Sequence, residues 1–65
     1  MTDGQYRALV AYLMYWTPTY SHFNLDYAMR DIGITIDRAE VIEQLAKAGY
    51  DWDDETRKLR NTFFD

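Results

Sequence analysis

The chain has 65 residues, no cysteine, 17% aromatic side chains and a formal net charge of -4, from eleven acids against seven bases. That length holds one domain at most, since independent cores become marginal near this size. The missing cysteines exclude disulfides and thiolate metal sites, and the acidic balance opposes general binding to phosphate backbones. No apolar run reaches the roughly 18 residues of a membrane-spanning helix. The longest, residues 8–16, lacks the flanks of a signal peptide, so a soluble cytoplasmic protein with no membrane partner is expected.

The first predicted element is a helix over 3–16. Thr2 and Gln5 have the spacing of a capping box. Tyr6, Leu9, Val10, Leu13 and Met14 then recur at helical intervals, and Pro18 ends the run because it has no amide hydrogen. Residues 17–23 read as a connecting loop. A short second helix follows, with Asn24 as N-cap, Leu25, Ala28, Met29 and Ile32 as its apolar stripe, and Gly33 at its left-handed C-terminus.

Asp37 and Glu40 resemble a capping box for a third helix, with Thr35 as an earlier alternative cap. Val41, Ile42, Leu45 and Ala46 make its buried face, and Lys47 and Gly49 close it. The last segment, 51–65, is expected to be a fourth helix. Asp51, Asp53, Asp54 and Glu55 precede Arg57, Lys58 and Arg60, the order that complements a helix dipole, with a thin stripe of Leu59 and Phe63. The expected fold is therefore all-α, a small single-domain bundle of three to four short helices.

The first helix carries more apolar surface than such a bundle can cover. At 100° per residue Trp16 and Tyr12 widen its core stripe past half the circumference, and Tyr15 and Ala8 lie almost opposite the stripe's centre. Tyr and Trp concentrate binding energy at interfaces, so Tyr12, Tyr15 and Trp16, with Tyr20 and Phe23 from the loop, form the expected protein-contact surface. Its simplest use is a homodimer, which would also staple a small fold.

Catalytic and ligand-binding patterns are not found. His22 is the single histidine, and Ser21 beside it cannot face it as a nucleophile faces its base. Asp51, Asp53 and Glu55 open like a calcium loop, but Thr56 stands where glycine is required and Thr62 where the bidentate glutamate belongs. No cofactor and no metal are expected, and the protein is expected not to be an enzyme.

The second and third helices with the turn at Gly33 have the lengths of a helix-turn-helix. A DNA-binding regulator using Arg38, Lys47, Arg57, Lys58 and Arg60 is accordingly the alternative. It is disfavoured because Asp37, Glu40 and Glu43 would face phosphates. The preferred expectation is a small acidic accessory, regulator or inhibitor of protein–protein type. Phage-encoded accessory proteins share that size and composition only by analogy.

Overall fold

In the computed structural model, which describes residues 1–62, the chain forms three helices and then an antiparallel β-hairpin. Helix α1 (Asp3–Ala11) starts on the capping box: Gln5 N–H donates to the Thr2 hydroxyl, and Thr2 N–H donates to the Gln5 side chain. The same helix continues into a π-helical turn over Tyr12–Trp16, where Thr17 N–H donates to the Tyr12 carbonyl at 3.1 Å.

Thr17, Pro18 and Thr19 finish the helix, and two of the carbonyls left at its end are met by threonine hydroxyls. Pro18 has no proton to give. The Thr17 hydroxyl donates to the Leu13 carbonyl at 2.6 Å, and the Thr19 hydroxyl donates to the Tyr15 carbonyl at 2.7 Å. Thr17 is fully buried, so its bond to Leu13 satisfies a polar group that would otherwise be costly there.

Helix α2 (Leu25–Ile32) is capped by the Asn24 side chain, which accepts from Tyr27 N–H, and ends at Gly33 with φ 89°. Helix α3 (Arg38–Lys47) has Asp37 at its N-cap position, but the Asp37 side chain makes no capping bond. The expected acid capping box is thus absent. Gly49, at φ 91°, then turns the chain out of α3.

The expected fourth helix and the all-α bundle are overturned by the segment that follows. Strands β1 (Tyr50–Asp53) and β2 (Lys58–Asn61) pair antiparallel, Tyr50 opposite Asn61 and Asp53 opposite Lys58. Trp52 and Leu59 oppose each other on the inner face, where Trp52 is buried. Asp51 faces Arg60 on the outer one, and both are exposed. This is period-2 alternation, which a helix cannot reproduce. The acid-then-base order has a second explanation: folded back on itself, it places opposite charges across the ladder. Phe63, assigned to the expected helix stripe, lies outside the described residues.

Leu9, Leu13, Leu25, Ala28, Ile34, Val41, Leu45 and Trp52 form the core, drawn from every helix and from β1. The hairpin packs against α3 and the π-turn, and α1 packs against α2. That arrangement covers the inner side of the first helix. Its outer side stays open.

Candidate interaction surface

The helix end, the loop and α2 bring a continuous set of rings to one side of the molecule. Trp16 stacks on Tyr20 at 5.6 Å between ring centres, and Tyr20 meets Phe23 at 5.1 Å. Phe23 stacks on Tyr27 at 4.4 Å and touches Tyr12 at 5.5 Å. His22 sits edge-on to Phe23 at 4.6 Å and to Tyr27 at 5.7 Å. Tilted and offset stacks of this kind are favourable beyond the area they bury.

Four of the five residues expected at the contact surface, Tyr12, Trp16, Tyr20 and Phe23, join this ladder. Tyr15 is the most exposed large apolar residue among the described residues, at 70%, but it makes none of the ring contacts described. Tyr27 and His22 belong to the ladder and were missed. Tyr27 was accessible to sequence reasoning: it lies opposite the Leu25, Ala28 and Ile32 stripe of its helix, four residues after Phe23. His22 offered no such signal, because its ring contacts depend on the path of the loop.

The loop under these rings is held by a residue 34 to 40 positions away in sequence. Arg57 Nη1 lies 3.2 Å from the Thr17 carbonyl, 3.2 Å from Tyr20, 2.8 Å from Ser21 and 3.0 Å from Phe23. Two protons are shared among four oxygens, and each bond is strengthened by the guanidinium charge. Arg57 adopts φ 55°, a left-handed conformation that costs a non-glycine residue about 1–2 kcal/mol. The four-residue hairpin loop supplies the geometry, and the Asp53 carboxylate helps shape it by accepting from Glu55 N–H. The favourable contacts of the side chain offset the backbone cost.

A second polar tie secures the far end of the ladder. The Tyr12 hydroxyl donates to Asp31, and this bond, with smaller contributions from burial and the carboxylate charge, pushes the phenol up to about 12. Two open hollows of about 280 and 190 Å³ flank Tyr27 and Arg30. Both fall below the roughly 300 Å³ at which small-molecule sites begin, so the geometry suits a surface contact better than an enclosed ligand.

The cations of the alternative reading are scattered. Arg38 bonds Asp54 and pairs with Asp26 at 3.3 Å; the Asp54 bond, aided by Trp52, holds the Asp54 carboxyl below its usual range. Lys47 pairs with Glu43 on its own helix. Arg57 is inserted beneath the loop, while Lys58 and Arg60 stand on the outer face of β2, opposite Asp53 and Asp51. The acids of the calcium-like stretch are likewise spread along the hairpin, and no group of three or more metal-binding side chains occurs among the described residues. No described helix is long and apolar enough to cross a membrane. Comparison with family models, with curated proteins and with solved structures returns no match.

Proposed function

We propose that the chain is a non-enzymatic protein-interaction module acting in the cytoplasm, with the aromatic ladder as its binding face. The observation that carries this reading is the continuity of the exposed rings. Single surface aromatics need no explanation. Here Trp16, Tyr20 and Tyr27 are 47%, 41% and 38% exposed and belong to one contacting set. Rings already stacked and tied down lose little conformational freedom on binding, which favours affinity.

The DNA-binding alternative has weaker support, because Arg38, Lys47 and Arg57 each already hold an oxygen of this chain. The reading is tested with tagged wild type and a Trp16→Asp variant as parallel baits in cells that naturally produce the chain. The expected result is a protein, another copy or a different chain, retained by wild type and lost with the variant. Equal retention by both baits sinks the proposal.

A further inference from the structure

Arg30 projects from the outer face of α2 beside Tyr27 and lines both hollows. Its helix offers it a carboxylate one turn earlier, Asp26, in the order that favours an i,i+4 pair. Asp26 instead turns to Arg38 on α3, and the adjacent Asp31 turns to the Tyr12 hydroxyl. Among the described residues no ion pair forms at Arg30. A cation therefore stands next to a ring ladder with its local counterions turned to either side.

We infer that the occupant of this face is a second copy of the chain, docked about a two-fold axis so that each Arg30 meets Asp26 of the other copy. The inference rests on the aromatic ladder being a protein-binding surface. The argument is charge complementarity. In a two-fold contact each residue pair occurs twice, so a face carrying a cation and a carboxylate one helical turn apart is complementary to itself when the helices run antiparallel. An axis between Asp26 and Arg30 gives that arrangement and brings the rings beside α2 together. A carboxylate has room for it: its two oxygens accept more bonds than the one contact with Arg38 uses.

The charge distribution permits the approach. Residues 12–32 hold two acids and one base, so most of the net -4 lies away from this face. Two copies meeting here bring together regions of net charge -1 each, too small to oppose the contact strongly.

Sedimentation equilibrium of the purified protein from low micromolar to millimolar concentration tests the inference. The expected mass rises to twice the 7.8 kDa of one chain. Arg30→Glu should weaken the dimer about tenfold or more, because it sets like charges opposite each other twice. Asp26→Arg should weaken it similarly, and the double variant Arg30→Glu/Asp26→Arg should recover most of the loss. Circular dichroism checks that each variant stays folded; Arg38 keeps Asp54 when Asp26 is replaced.

A monomer at every concentration overturns the inference. So does a dimer indifferent to Arg30→Glu, or a double variant that fails to recover. If the protein is monomeric while Trp16→Asp still abolishes capture of a different protein, the binding face stands and only the second copy is rejected. If neither self-association nor Trp16-dependent capture occurs, both fall.

Discussion

The aromatic ladder and the outer face of the hairpin handle exposure in opposite ways. On the hairpin, the register sets Asp51 opposite Arg60 and Asp53 opposite Lys58, so charge is balanced within the element and water covers the rest. On the ladder, the rings contact one another but leave apolar surface open, and polar ties are placed underneath and at one end. Arg57 links the two: its backbone shapes the hairpin loop, and its side chain holds the aromatic loop. An exposed apolar surface on so small a fold is kept in shape by backbone hydrogen bonds, since the core beneath cannot reach it.

The largest test of this link is Trp52→Ala, which removes the hairpin's buried anchor. It should cost about 4 kcal/mol, the range for truncating a buried aromatic, and leave the chain largely unfolded in urea titrations. Retained stability would mean that the hairpin is dispensable.

Next comes Arg57→Ala, which strips four carbonyls of their donor while keeping the strained backbone. An expected loss of about 2 kcal/mol follows from charge-assisted bonds, two of them to part-buried acceptors and two to exposed ones. Arg57→Gly should be milder by about 1 kcal/mol, because glycine accepts φ 55° without strain. Tryptophan fluorescence should report a more mobile Trp16 in both variants. If Arg57→Ala is neutral, the loop holds its shape without the hairpin, and the contrast between the two faces loses its link.

The smallest effect is at alkaline pH. The Tyr12 phenol is raised from 10.0 to about 12 in the folded chain, chiefly by its bond to Asp31. A raised folded value means stability that is fully present below the unfolded pKa and lost as pH rises through the folded one. Denaturation midpoints should therefore fall between about pH 10 and 12, and Tyr12→Phe should lessen that fall. Phenolate absorbance should show a tyrosine ionising near 12 that the variant lacks. Its presence in the variant would assign the effect elsewhere, with Tyr6, raised by burial and by Tyr50, the next group to test.

Local chemistry made the helices legible. The Thr2 and Gln5 capping box, the Asn24 cap, Pro18 and Gly33 each act through neighbours a few residues away, and each stands where that spacing places it. The surplus of rings on the first helix was legible for the same reason, because helical geometry alone widens the stripe of Leu9 and Leu13 through Trp16 and Tyr12 and puts Tyr15 almost opposite its centre. The π-turn was not, since its register depends on how residues 17–19 finish the helix.

The hairpin and the assembly of the ladder belong to tertiary structure. Acids followed by bases suit a helix dipole as well as a cross-strand ladder, and four-residue strands give alternation too brief to decide between them. Burial of Trp52 against the helical core makes the choice, and folding back then carries Arg57 under residues 17–23. Sequence by itself therefore determined where the first three helices lie and that rings exceed the available core, but it placed a fourth helix where the hairpin stands. Which rings meet, and what holds them, was decided by contacts between residues far apart in the chain, which no local spacing encodes.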